Sequence, residues 1–207
     1  MAEAYLRRLS RWQAEQQRDA VADVHMAAYQ GATGDDHRDR RGFLDRFERQ
    51  VQRTGFDMVV ADGGSLVGAA YGFRLERGDD WWSGLRGGLP SEIEELTASG
   101  RAFLLAELMV RPAHRRTGVA TRMTELLLAR LRTDLVVAAV DRPDAPVRVN
   151  AAAETLHSWG WSKLGELPPR PAPGAADIGA HYGTDVGTGG AAGPGSGREV
   201  WVRRPPR

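Results

Sequence analysis

A basic turn that contains a glycine is the stretch of this sequence best suited to binding an anion. It runs from Arg115 to Ala120 and reads RRTGVA. The first N–H groups of a helix have no partner inside the helix, and the helix dipole makes that end positive. Gly118 lets a ligand approach the backbone, while Arg115 and Arg116 add charged donors. The turn therefore predicts a phosphate-binding site.

The turn carries neither of the common nucleotide-binding fingerprints. It has no Gly-x-x-x-x-Gly-Lys-Ser/Thr, and no Gly-x-Gly-x-x-Gly follows a strand here. A site made of one helix end and two arginines favours a small molecule with a diphosphate over a nucleoside triphosphate with magnesium. The alternative is an ordinary strand-to-helix connection with arginines on its surface.

A buried strand and an amphipathic helix must position this turn. The run from Phe103 to Val110 is apolar except for Glu107, which is typical of a short strand buried on both faces. Pro112 ends the strand because it cannot donate to a ladder. Beyond the turn, apolar residues as far as Leu131 fall on one face at helical spacing.

The remaining sequence predicts an α/β chain with a mixed sheet and helices on both faces. Strands are expected at 4–9, 57–61, 66–73, 103–110, 134–140, 161–167 and 199–203, and helices at 11–30, 42–53, 92–97, after the turn, and at 150–159. Gly68 and Gly72 indicate a bulge or a close backbone approach in their strand. We expect a single domain over 1–207, with a mobile, low-complexity Gly/Pro/Ala-rich loop at about 168–197 before the last strand.

The order strand, proline, basic turn and helix resembles the acyl-CoA-binding signature of the GNAT superfamily of N-acetyltransferases. That signature is Arg/Gln-x-x-Gly-x-Gly/Ala after a strand, and Arg115, Gly118 and Ala120 match it. The element order is also similar over about residues 4–167 and the last strand, although the Gly/Pro-rich insertion departs from the family's compact C-terminal hairpin. The resemblance implies a GNAT-like sheet that splays between its two central parallel strands, with acetyl-CoA in the gap.

The resemblance also implies which residues hold acetyl-CoA. The pantetheine arm would bond to the backbone of the first central strand, and the pyrophosphate would lie on the turn. A backbone N–H of Met109 or Val110 would stabilise the oxyanion. The cofactor-binding residues implied are Leu108, Met109, Val110, Arg115, Arg116, Thr117, Gly118, Val119, Ala120, Thr121 and Asn150. Asn150 would bond the pantetheine amides or, as we favour, cap the helix that follows it.

Two catalytic groups are expected beside the thioester. Glu107 is the candidate general base, because burial of a lone carboxylate raises its pKa toward a useful range. Its alternative is a glutamate that faces solvent or pairs with a neighbouring arginine. The family often takes its acid from a tyrosine on the helix after the second central strand, which this sequence lacks there. Depending on the alignment, His157 or Leu156 takes that position, with Ser158 nearby; His157 is the candidate acid, and a histidine on the helix surface is the alternative.

The acceptor would be a cationic amine. Trp81 and Trp82, with Asp79 and Asp80, would suit the wall of its pocket; an aromatic patch packed on the N-terminal helix is the alternative. The arginines of 38–49 alternate with acids and predict a solvated helix face. The histidines show no metal-ligand spacing, so no metal is expected; those considered are His25, His37, His114 and His181.

Composition restricts the partners and the compartment. The chain has 28 basic and 27 acidic residues, which gives no general attraction to nucleic acid or to an anionic membrane. The absence of cysteine excludes disulfides and thiolate metal sites. No apolar run has the length of a membrane span, and the N-terminus has no signal-peptide core. We expect a cytoplasmic protein and leave open whether it forms a homodimer.

The sequence thus predicts an acetyl-CoA-dependent N-acetyltransferase that modifies a primary amine of a small molecule. A non-catalytic acyl-CoA-binding or regulatory domain is the alternative that the missing tyrosine favours. An acetyltransferase of protein N-termini or lysines ranks lower, because the chain has no peptide-recognition signature.

Overall fold

The computed structural model describes residues 4–30, 39–142, 150–169 and 197–205. The helices are α1 (Arg11–Gln16), α2 (Arg18–Ala28), α3 (Arg40–Val51), α4 (Ser91–Ala98), α5 (Val119–Leu128) and α6 (Ala151–Ser158). The strands are β1 (Tyr5–Leu9), β2 (Asp57–Asp62), β3 (Leu66–Arg74), β4 (Ala102–Val110), β5 (Leu135–Asp141), β6 (Ser162–Leu167) and β7 (Arg198–Arg203). Nearly all of the predicted Gly/Pro-rich loop, along with His37 and His181, lies outside the described residues.

The strands form one mixed sheet in the order β1-β2-β3-β4-β5-β7-β6. Only β4 and β5 pair in parallel, and every other pair of neighbours is antiparallel. Apolar residues of α5 and α6 pack on one face of the sheet, while α2, α3 and α4 cover the other face. The predicted fold class, a mixed α/β sheet with helices on both faces, is therefore confirmed.

Two predicted helix boundaries are wrong in detail. The helix expected at 11–30 is broken at Gln17, whose φ of −102° separates α1 from α2. The Gln17 side chain accepts a hydrogen bond from Arg7 of β1 at 2.9 Å, a tertiary contact that hydrophobic periodicity does not register. The helix expected at 92–97 begins one residue earlier, at Ser91, because Pro90 occupies the N-cap position.

The two central strands pair over only half of their length. Their parallel register runs from Ala102 opposite Leu135 to Leu105 opposite Ala138. Beyond that point β4 continues to Val110 paired with β3, and β5 continues to Asp141 paired with β7. The sheet therefore splays between its central strands, as the sequence comparison implied.

A bulge in β4 lies at the point where the splay begins. Tyr71 of β3 is opposite Glu107, but the next residue, Gly72, is opposite Leu105, so Ala106 is the extra residue. A bulge bends its strand and changes the face to which the following side chains point. A Cβ on Gly72 would lie 2.0 Å from the carbonyl oxygen of Leu104. The close approach predicted from the glycines of this strand is confirmed at Gly72.

We expect Gly72→Ala to destabilise the protein by about 3 kcal/mol, the upper end of the cost of overpacking, because the methyl group would strike backbone rather than a side chain that can move. The midpoint and slope of urea unfolding measure the change. The matched control is Gly78→Ala, whose Cβ would meet nothing within 4 Å and should change stability by less than about 0.5 kcal/mol. Equal stability of the two variants would contradict the close approach.

Candidate functional site

The carboxyl-terminal half of β4 borders the gap in the sheet. From Ala106 onward its edge toward β5 has no ladder partner within the described residues, and backbone groups on such an edge need one. Met109 is buried against α2 and α3, whereas Leu108 and Val110 pack on the α5 face. The predicted pantetheine-binding residues thus lie where an extended ligand could complete the ladder.

The turn after β4 ends in a helix start without a side-chain cap. Gly118 has a left-handed φ of 77° and is the N-cap of α5, with no side-chain cap bond. The Gly118 carbonyl accepts from the N–H of Arg122 at 3.0 Å. By helix geometry the three N–H groups before Arg122, from Val119 to Thr121, have no partner in the helix. A Cβ on Gly118 would meet nothing within 4 Å, so the space beside Gly118 is open.

The two arginines of the turn differ in what they contact. The Arg115 guanidinium donates to the carbonyl of Val110 at 3.3 Å and to that of Ala28, so it ties the turn to β4 and α2. Arg116 is exposed and has a φ of 61°, an uncommon conformation for a residue with a side chain. The Thr117 hydroxyl donates to the His114 carbonyl at 2.7 Å. Arg116 is therefore the arginine of this turn better placed for a ligand.

Glu107 is buried on the face of the sheet covered by α2 and α3. It is 7% exposed, and its Oε2 accepts a hydrogen bond from the Tyr29 hydroxyl at 3.2 Å. Its Oε1 lies 3.6 Å from Nη2 of Arg46 on α3. The sequence left open whether Glu107 is a buried lone carboxylate or a glutamate that faces solvent or pairs with an arginine. In the structure it is buried and it pairs with Arg46. Its role as general base stays a prediction.

The prediction that Arg46 belongs to a solvated helix face is wrong. Its side chain is only 16% exposed, because Arg46 follows the buried Gly42 and Phe43 by four and three residues and so shares their face. Arg40 does lie at the surface, where it pairs with Asp19 at 2.9 Å. The spacing of Arg46 from Phe43 was the signal in the sequence that could have identified it.

Aromatic rings form the wall beside this cluster. The ring of His25 stacks on that of Phe43 at 4.1 Å and lies 4.7 Å from the ring of Tyr29. The Arg46 guanidinium carbon lies 5.6 Å from the centroid of Phe43, within range of a cation–π interaction. These contacts fix the guanidinium and the tyrosine on the same side of β4 as the Glu107 carboxylate.

On the other side of the gap, Asn150 caps α6. Its Oδ1 accepts from the Ala153 N–H at 3.3 Å, and its Nδ2 donates to the Asp141 carbonyl at 3.0 Å. The helix-capping interpretation of Asn150 is thus confirmed. His157 is exposed, with its ring 6.4 Å from that of Trp201, whereas Leu156 points into the core.

The predicted acceptor wall is packed against α4 and not against the N-terminal helix. The Trp82 Nε1–H donates to the Thr97 hydroxyl at 3.2 Å, and the rings of Trp81 and Trp82 meet edge to face at 4.5 Å. Asp79 is bonded to Arg53 at 2.5 Å.

Among the described residues no group of three or more His, Cys, Asp or Glu could hold a metal ion. None of the helices in the described residues could span a membrane.

Comparison with known proteins gives one family. Residues 18–148 match the Acetyltransferase (GNAT) family. Compared by sequence with curated proteins, the chain has no significant match.

Solved structures of low sequence identity share the fold. An acetyltransferase from Thermus thermophilus has a TM-score of 0.59 at 11% identity over 98% of this chain and 97% of that one. The yncA protein of Salmonella typhimurium, solved with acetyl-CoA, has a TM-score of 0.55 at 15% identity, covering 98% of this chain and 94% of that one. The PaiA N-acetyltransferase of Thermoplasma acidophilum, in complex with coenzyme A, has a TM-score of 0.53 at 8% identity, covering 98% of this chain and 99% of that one.

We expect Asn150→Ala to lower the free energy of unfolding by about 1 kcal/mol, the usual cost of losing an N-cap. Asn150→Asp keeps the acceptor for the Ala153 N–H but loses the donor to Asp141, so it separates the two bonds. Urea unfolding of the parent protein, Asn150→Ala and Asn150→Asp measures what each of the two hydrogen bonds contributes to the free energy of unfolding. If Asn150→Ala is as stable as the parent protein, the cap contributes nothing.

Proposed function

Because the chain belongs to the Acetyltransferase (GNAT) family, we propose that it transfers the acetyl group of acetyl-CoA to a primary amine of a small molecule. One observation carries the proposal: the gap between β4 and β5 opens beside the uncapped start of α5. A ligand with an extended amide arm and a diphosphate fits these two features together. The structures of yncA with acetyl-CoA and PaiA with coenzyme A support this choice of ligand.

Acetyl-CoA would bind through backbone groups at both features. The amides of its pantetheine arm would pair with the free edge of β4 from Leu108 to Val110. Its diphosphate would accept hydrogen bonds from the N–H groups of Val119, Ala120 and Thr121, with Arg116 adding a charge-assisted contact. No metal ion is required, because the helix end and the arginine supply the positive charge.

The chemistry would be direct attack on the thioester. Glu107 takes a proton from the acceptor ammonium, and the neutral amine then attacks the carbonyl carbon to form the C–N bond. A backbone N–H of Met109 or Val110 stabilises the oxyanion of the tetrahedral intermediate. Cleavage of the C–S bond releases coenzyme A as a thiolate, which takes up a proton from His157 or from solvent.

A non-catalytic acyl-CoA-binding domain is the second candidate. It is favoured by the exposed position of His157 and by the buried leucine at the neighbouring position of α6, since neither side chain provides an acid inside the gap. Release of thiol from acetyl-CoA in the presence of a panel of amines separates an enzyme from a binder. A panel that includes peptides with free N-termini separates the small-molecule acceptor from a protein acceptor.

We expect Gly118→Val to weaken coenzyme A binding by at least about tenfold, because a β-branched residue disfavours the left-handed conformation and its methyl groups would cover the helix N–H groups. Isothermal titration calorimetry measures the dissociation constant. Gly100→Val is the matched control, since Gly100 also has a positive φ, of 66°, and space around it, but it precedes the opposite end of β4. No heat from coenzyme A with the parent protein, or equal affinity in both variants, would disprove the binding site.

We expect Glu107→Gln to lower kcat for amine acetylation by about 100-fold or more, as the loss of a general base does. His157→Ala should lose less than about tenfold, or about 1.4 kcal/mol of barrier. Thiol release at saturating acetyl-CoA measures both rates, and calorimetry with coenzyme A checks that each variant is folded. Near-parental turnover of Glu107→Gln would reject the base, and a large loss in His157→Ala would make it the acid.

A further inference from the structure

The buried pair of Glu107 and Arg46 has an incomplete set of hydrogen bonds. Nε and Nη2 of Arg46 are both buried and have no hydrogen-bond partner among the residues the structure describes. The closest oxygen of Glu107 is 3.6 Å from Nη2, which is beyond hydrogen-bond range. A buried guanidinium normally uses such donors, so this edge of Arg46 is suited to an acceptor that comes from a ligand.

The two donors point to a carboxylate. Nε and Nη2 lie along one edge of the planar guanidinium, and their N–H bonds match the two oxygens of a carboxylate. The position of this edge is fixed, because Arg46 is on the inward face of α3 and its guanidinium lies 5.6 Å from the Phe43 ring centroid. A phosphate would also accept two such bonds, but its double negative charge would lie against Glu107.

We propose that the acceptor is a zwitterion, an α-amino acid or a similar amine with a carboxylate beside it, and that Arg46 binds the carboxylate while Glu107 takes the ammonium. This inference depends on the proposed acetyl transfer. Glu107 and Arg46 together are electrically neutral, so the site does not favour a simple cation over a neutral molecule. A compound with both charges places each opposite its counterpart. The Tyr29 hydroxyl, bonded to Oε2, holds the carboxylate so that its Oε1 side faces Arg46.

A purely structural arginine would be bonded differently. When an arginine only balances a buried carboxylate, a direct hydrogen bond of about 2.7–2.9 Å is usual. Here the structure gives 3.6 Å between the charged groups. Arg53 and Asp79, whose closest atoms are 2.5 Å apart, show the directly bonded arrangement elsewhere in the same chain. The absence of a direct hydrogen bond leaves both donors of Arg46 without an acceptor among the described residues.

The test compares amino acids with the amines that lack only the carboxylate. Tyrosine with tyramine, histidine with histamine, and methionine with 3-(methylthio)propylamine are assayed for thiol release from acetyl-CoA. The parent protein should give a kcat/KM at least about 100-fold higher for the amino acid in the preferred pair. Arg46→Gln should bring that ratio close to unity, whereas Arg49→Gln, an exposed arginine of the same helix, should leave it unchanged.

The ratio distinguishes recognition from structural damage. Arg46→Lys, which keeps the charge but loses the two-donor edge, should give an intermediate ratio and guards against misfolding of Arg46→Gln. If both members of every pair fall equally in Arg46→Gln, or if the parent protein does not prefer the amino acid, the inference is overturned. If no amine is acetylated although coenzyme A binds, the proposed acetyl transfer fails. Binding of the same amino acids, measured by calorimetry, would then still support carboxylate recognition if it is lost in Arg46→Gln. If the parent protein does not bind these amino acids, carboxylate recognition is overturned as well.

Discussion

The incomplete pairing of β4 with β5 is the constraint on which the rest of this structure depends. The two strands share a ladder only as far as Leu105 and Ala138, and the bulge at Ala106 lies just beyond that point. The backbone N–H and C=O groups on a strand edge inside a protein cost free energy when they lack hydrogen-bond partners. In the proposed complex, the pantetheine arm of acetyl-CoA would supply those partners. The same bulge directs Glu107 toward α2 and α3, so one backbone irregularity marks the start of the gap and sets the position of the carboxylate.

Burial of Glu107 requires partners from other parts of the chain. Removing a carboxylate from water is costly unless it is paired or hydrogen-bonded, and here a hydroxyl from the end of α2 and a guanidinium from α3 meet that need. Apolar residues of similar volume often fill such a position at lower cost. This cost agrees with the role that we propose for the pair in binding the acceptor. The pair also links the helix layer to β4, so helix positions and site geometry depend on each other.

The sequence predicted those parts of the molecule that depend on neighbouring residues. Strand β4, the proline that ends it and the glycine that begins α5 are all encoded within the stretch from Phe103 to Leu131, and the structure has them where they were expected. The sequence allowed Glu107 to pair with an arginine but did not identify Arg46 or Tyr29 as its partners. Tyr29 is 78 residues away in sequence, and only the packing of α2 and α3 on the sheet brings these groups together. Arg46 was assigned to the surface because its charge outweighed its position between Phe43 and Phe47. The break at Gln17 was missed for a similar reason, since it coincides with a contact to another strand.

The two proposed substrates need different electrostatic surroundings, because acetyl-CoA is an anion and the acceptor carries an ammonium group. A single charged patch could not provide both. In the proposed complex, the anionic acetyl-CoA would meet positive charge at the start of α5 and at Arg116, where exposed donors could contact its phosphates. The proposed acceptor side is buried, and there Arg46 offsets the charge of Glu107. A strongly positive cleft would attract coenzyme A but would repel an ammonium and keep it from the thioester; a strongly negative one would do the reverse. Separating the exposed positive turn from the neutral buried pair would let both proposed substrates approach the same gap, in a chain whose net charge is only +1.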